Sequence, residues 1–128
     1  MKSKIKRIFT WFLQVIMGLE FIIAGQAKFT SVGSEVWARE FKEWGYPDNF
    51  YLIIGGLELV GAILIFFPKF ASKAALGLGI IMLGATVTHA VHQEWSRVLV
   101  TVIITGLLTL LYFLRKDNKL NVPALSDN

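Results

Sequence analysis

Glu20, Lys28, Glu58 and His89 interrupt stretches of the 128-residue chain that are otherwise apolar, with Gln26 and Thr86 near them in sequence. A carboxylate in apolar surroundings has three uses. It pairs with a cation, it holds the polar head of an amphipathic molecule, or it carries a proton once desolvation disfavours its charged form. An imidazole adds a group that exchanges protons near neutral pH. The chain has no cysteine, which excludes a disulfide scaffold, a Cys-ligated metal site and a thiol–disulfide relay. No metal site of another kind is expected.

The elements that must position these groups follow from composition. Hydrophobic residues make up 55% of the chain and charged residues 17%, with a mean hydropathy of +0.59. A chain of this size cannot bury so much apolar sequence in one soluble core, so a soluble enzyme is excluded. Four stretches approach the roughly 20 apolar residues that cross a ~30 Å hydrocarbon layer: Ile8–Gly25, Phe50–Phe67, Ala71–Val91 and Val98–Leu114. Runs such as Leu107-Leu108-Thr109-Leu110-Leu111 do not alternate, so helices and not barrel strands are expected. The basic start and Gly25-Gln26-Ala27 resemble a cleavable signal. Glu20 and the length of the apolar stretch favour a retained first span. The expected architecture is an all-α integral membrane four-helix bundle, a single domain over residues 1–120 with a polar tail at 121–128.

Basic residues set the expected orientation. Nine of the thirteen Lys and Arg fall before span one, between spans two and three, or after span four. The imbalance places both termini in the cytoplasm. The net charge of +4 is thus a topology signal, and no nucleic-acid partner is expected. The partners expected from this pattern are the bilayer and further copies of the chain.

Between spans one and two, Ser34 is placed to cap a short helix over Glu35–Trp44, stopped by Gly45 and Pro47. Trp37, Phe41 and Trp44 share one face. Such a helix rests in lipid headgroups or folds over the bundle as a lid, and periodicity does not separate the two.

Helical rise puts Glu20, Glu58 and His89 in the same outer half of the bilayer, with Gln26, Lys28 and Thr86 at that height. Glu20 and Lys28 are too far apart along one helix to pair, but each can meet Glu58 or His89 across the bundle. Glycines and alanines in the first three spans permit close approach. Two readings stay open: a polar pocket for a ligand, or a satisfied network that only fixes helix packing. His92 reads as a wet loop residue beside Gln93 and Glu94, and Met82 as core packing. Thr101, Thr105 and Thr109 read as bonded back to their own helix.

Gly18-Leu-Glu-Phe-Ile-Ile-Ala-Gly-Gln-Ala-Lys28-Phe29 resembles the first-span motif of DoxX-like (DoxX/DoxD) membrane proteins. Phe41 with Trp44-Gly45-Tyr46-Pro47 resembles their loop before span two. Gly55-Gly56-Leu57-Glu58-Leu59-Val60-Gly61-Ala62 and Met82-Leu83-Gly84-Ala85 with His89 are similar to their second and third spans. The likeness runs over about residues 10–114, and order and spacing carry it. It implies a four-helix membrane bundle. It also implies a role such as a subunit of thiosulfate:quinone oxidoreductase, a member of a redox-stress assembly, or an aid to receptor assembly.

The chain shows no flavin motif and no paired His for haem. Any part in electron transfer would be to hold a quinone or anchor a membrane or peripheral redox protein, so an oxidoreductase subunit is expected sooner than an enzyme on its own. The leading expectation is a ligand-binding or anchoring subunit of a quinone-linked assembly. The alternatives are a proton-coupled transporter using Glu20 and Glu58, and a non-catalytic assembly protein.

Overall fold

A computed structural model of the chain describes residues 2–116. It contains five helices and, among the described residues, no strand: α1 (Lys2–Ala27), α2 (Ser31–Glu43), α3 (Phe50–Ile65), α4 (Pro68–Val91) and α5 (Trp95–Arg115). By length and composition, α1, α4 and α5 can cross a membrane, while α3 is a shorter apolar helix of 16 residues. The second span expected over Phe50–Phe67 therefore ends two residues early. Phe66 caps α3, and Pro68 opens α4 at a position where its missing N–H costs nothing. The tail expected at 121–128 lies outside the described residues.

α1 begins at Lys2, well before the apolar run, because lysine and arginine propagate a helix readily. α2 begins at Ser31 and not near Glu35. Thr30 is the cap: its Oγ1 accepts from Gly33 N at 3.1 Å and donates to the Ala27 carbonyl at 2.9 Å. Trp44 closes the helix, and Gly45 at φ +91° turns the chain in a conformation that few side chains tolerate.

α1 packs on α3, α3 on α4, and α4 on α5, while α1 also meets α5. The buried core runs through Leu13, Met17 and Phe21 of α1, Ala62 and Ile65 of α3, Leu78 and Met82 of α4, and Leu108 and Leu111 of α5. Large apolar side chains such as Ile23, Ile53, Ile80, Val87 and Leu99 stand exposed, whereas Gln14, Lys28, Glu58 and His89 are buried. This inversion of an aqueous protein suits a lipid surround.

At the end carrying the termini, Arg115 Nε donates to Gln14 Oε1 at 2.8 Å, and the Arg115 guanidinium lies 5.0 Å from the centre of the Trp11 ring. Small residues set the α1–α3 approach. A Cβ on Gly25 would stand 2.8 Å from Leu59 Cγ and 3.0 Å from the Gly55 carbonyl oxygen, whereas one on Gly77 would meet open space. Gly25→Val is expected to cost about 1–3 kcal/mol by overpacking. Gly77→Ala is expected to be neutral or slightly stabilising. Detergent-unfolding titrations of the two variants check the contrast.

Candidate functional site

The first-span and second-span charges meet directly. Lys28, just past the end of α1, places Nζ 2.8 Å from Glu58 Oε1 on α3, and both side chains are 4% exposed. Two further contacts hold the ammonium. It donates to the Ala24 carbonyl at 3.2 Å and sits 4.2 Å from the centre of the Trp37 ring. The ammonium thus has a carboxylate, a carbonyl and an aromatic face around it, the contacts a buried cation needs. Gly55 makes the approach possible, since a Cβ there would fall 2.9 Å from Lys28 Cβ.

Beside this pair lies a cavity of about 500 Å³. α1 contributes Glu20, Phe21 and Ala24, and α3 contributes Ile54 and Glu58. α4 adds Ile81, Met82, Ala85, Thr88 and His89, and α5 adds Val100, Thr101 and Ile104. α2 forms the roof through Trp37, Phe41 and Trp44, the three residues that share its apolar face. Glu20, Ile80 and Val100 line the cavity and are also exposed, so it opens through the side of the bundle.

Polar contacts fasten the roof. Ser34 and Tyr51 hydroxyls are 2.8 Å apart, and Tyr46 bonds to Thr88 through their hydroxyls. Glu40 of α2 pairs with Arg97 of α5 at 2.8 Å. Glu94, in the turn before α5, gathers three groups. His89 Nδ1 lies 2.7 Å from its Oε1, Trp44 Nε1 donates to Oε2 at 3.5 Å, and Arg97 stands 3.7 Å away. Trp44 also meets the His89 ring edge-to-face at 5.2 Å.

The hydrogen bond with His89 is the chief reason Glu94 sits below the ordinary carboxylate pKa. Trp44 and Arg97 add to it, against partial desolvation. The sign of the pH effect follows. A carboxyl with a depressed pKa contributes stability above its unfolded pKa and loses it as pH falls through the folded value. Docking of α2 is therefore expected to loosen on acidification below the usual carboxylate range. Glu40, Arg97 and His89 are the other charged or titratable groups at that latch. Hydrogen exchange of α2 amides across pH checks this, with Glu94→Gln expected to remove the acid-dependent step.

The six residues singled out from sequence divide. Glu20, Lys28, Glu58 and His89 line the cavity. Lys28 meets Glu58, while His89 turns to Glu94. Gln26, expected within the buried layer, is instead exposed, and its amide donates to the Ile23 carbonyl at 3.3 Å. It follows the turn of α1 that faces away from the bundle. Glu20 is exposed as well, at the cavity's open side. Thr86 is half-buried outside the cavity wall, bonding to the Met82 carbonyl and to Thr101, each at 2.8 Å, and so ties α4 to α5.

Thr105 and Thr109 bond back to Thr101 and Thr105 carbonyls as expected, and Met82 is core. His92 is exposed, with Nδ1 2.9 Å from the Thr88 carbonyl oxygen. Sequence reasoning missed Glu94, Arg97, Glu40 and Gln14. For Gln14 a signal was present: it is a polar residue inside the apolar run that starts at Ile8.

The chain matches the DoxX-like family over residues 12–111. It is 30% identical over 86 residues to a Bacillus subtilis (strain 168) protein named "Putative oxidoreductase CatD", an alignment that covers 67% of this chain and 63% of that protein. The chain thus spans less than two thirds of that relative's length. No solved structure matches it. With a family match across most of its length and three helices apolar enough to cross a bilayer, the chain belongs to the DoxX-like family of membrane proteins.

Proposed function

We propose that the chain is a four-span inner-membrane protein whose roofed cavity holds the head of an amphipathic, bilayer-soluble ligand, with a quinone as the leading candidate. It acts as a ligand-binding or anchoring subunit of a membrane redox assembly. α3 crosses as the second span, its short length accommodated by the aromatic residues at its ends. The termini lie in the cytoplasm and α2 lies at the outer face. The carrying observation is a cavity of about 500 Å³ with apolar walls, a buried Lys28–Glu58 pair and an open side. Concave apolar space with a few convergent polar groups is how proteins hold small ligands. The open side would admit a ligand from the lipid without passage through water. The name of the Bacillus relative supports the redox setting.

A proton-coupled transporter is the second reading, and one observation favours it: Glu20 faces the cavity's open side without burial.

Extraction in a mild detergent, followed by native mass spectrometry, tests the proposal. A stoichiometric lipophilic molecule, lost in an Ala85→Trp variant that fills the cavity, is the expected result. Only phospholipid, unchanged in the variant, would sink it. Glu20-dependent proton flux in liposomes would favour the transporter.

A further inference from the structure

His89 and Glu94 form an arrangement that the binding proposal leaves unused. His89 lines the cavity and is 8% exposed, while Glu94, 2.7 Å from its Nδ1, keeps a side chain 32% exposed. A carboxylate on one imidazole nitrogen fixes the ring's orientation and its tautomer, leaving the other nitrogen as the acceptor. Nε2 has no hydrogen-bond partner among the described residues, and the cavity is what the ring borders. The Trp44 ring holds the imidazole from the side.

We infer that His89 and Glu94 are a dyad that exchanges a proton with a ligand in the cavity, and that the ligand presents an ionisable hydroxyl on a flat ring. This rests on the cavity being a ligand site. The ring follows from the aromatic roof of Trp37, Phe41 and Trp44, and the hydroxyl follows from the acceptor nitrogen. In the exchange the ligand's O–H bond breaks as Nε2–H forms, leaving the ligand as an oxyanion paired with the His89 imidazolium. Glu94 keeps its bond to Nδ1–H and steadies that charge, and return of the Nε2 proton to the oxygen reverses the step. No electron moves in this step.

The charged groups facing the dyad fit the role. Arg97 of α5 stands beside Glu94 and is paired with Glu40 of α2. Lys28, just past α1, and Glu58 of α3 line the same cavity and neutralise each other, and Glu20 of α1 stands exposed at its open side. His89 is thus the cavity's buried proton acceptor, with Glu94 as its positioning residue.

The test compares para-octylphenol with its methyl ether, para-octylanisole, bound to the full chain in nanodiscs and followed by quenching of tryptophan fluorescence. In the wild type the phenol is expected to bind about tenfold more tightly, the worth of one good hydrogen bond. His89→Phe keeps an aromatic ring against Trp44 and is expected to bring the two probes within about twofold. Glu94→Gln retains ether binding, lowers the phenol preference and shifts its pH profile, which a merely structural contact would not do. Equal binding of both probes to the wild type overturns the dyad while leaving the cavity intact, as does an undiminished phenol preference in His89→Phe. Failure of both probes to bind the wild type overturns the cavity reading itself.

Discussion

Replacing Lys28 by Met is expected to lower stability by about 3–5 kcal/mol, and replacing Glu58 by Met by a similar amount, because each change strands the opposite charge in an apolar interior. The two side chains are 4% exposed and 2.8 Å apart, so neither can turn to solvent when the other is removed. Lys28 loses less than a complete set of partners, since the Ala24 carbonyl and the Trp37 ring remain. Glu58→Met should for that reason be the milder of the two. The double variant is expected to recover most of the loss, as apolar side chains of similar volume often replace a buried pair without penalty. Glu20→Gln, at an exposed position, should stay within about 0.5 kcal/mol of the wild type. Unfolding by SDS titration, followed by far-UV circular dichroism, measures all four. A double variant as unstable as the worse single would show that the pair does more than neutralise itself.

The roof should depend on Phe41 more than on any other residue of α2. It is 8% exposed and packs its ring against Trp37, Trp44, Tyr46, Phe50 and Tyr51 at centroid distances of 5.3–6.3 Å. Phe41→Ala is expected to cost about 3–5 kcal/mol, by lost burial and the void left behind. The loss should be local, because α2 packs on α3 and pairs with α5 through Glu40 and Arg97, while Trp44 and Tyr46 just beyond it meet α4, and α2 contributes nothing to the core below. Hydrogen exchange should accelerate across Ser31–Glu43 with little change in the core of α4 and α5. Arg97→Ala removes only a half-exposed ion pair and should accelerate exchange far less.

The contrast between these residues explains what was legible in the chain. Lys28 and Glu58 were legible as charges that must find partners, because both interrupt apolar stretches, but spacing left Lys28 a choice between Glu58 and His89 that only the packing of α1 on α3 decides. Their heights follow from helical rise alone. Phe41 was placed on the right face of the right helix by its spacing from Trp37 and Trp44. That the face covers a cavity depends on contacts to Thr88, Tyr51, Glu94 and Arg97, which no local pattern contains.

Glu94 was hidden by its neighbours. Within His92-Gln93-Glu94 it has the composition of a wet turn, yet Gln93 at φ +60° brings the chain back so that Glu94 meets His89 five residues earlier. Gln14 and Arg115 are 101 residues apart and join only because α1 and α5 close the bundle. The start of α2 was misjudged because Ser34 and Thr30 are both capping residues. Gly33 decides for Thr30, since its N–H reaches the Thr30 hydroxyl and a side chain there would collide with the Ala27 carbonyl.

Photo-labelling in native-like membranes tests the cavity most directly, using a bilayer-soluble quinone that carries a diazirine on its ring. Adducts concentrated on cavity residues such as Phe41, Ile54, Ile81 and Ala85, and displaced by excess unlabelled quinone, are the expected result. Adducts spread evenly over outward-facing residues such as Ile53, Ile63 and Leu83, insensitive to competitor, would contradict a ligand site in this bundle.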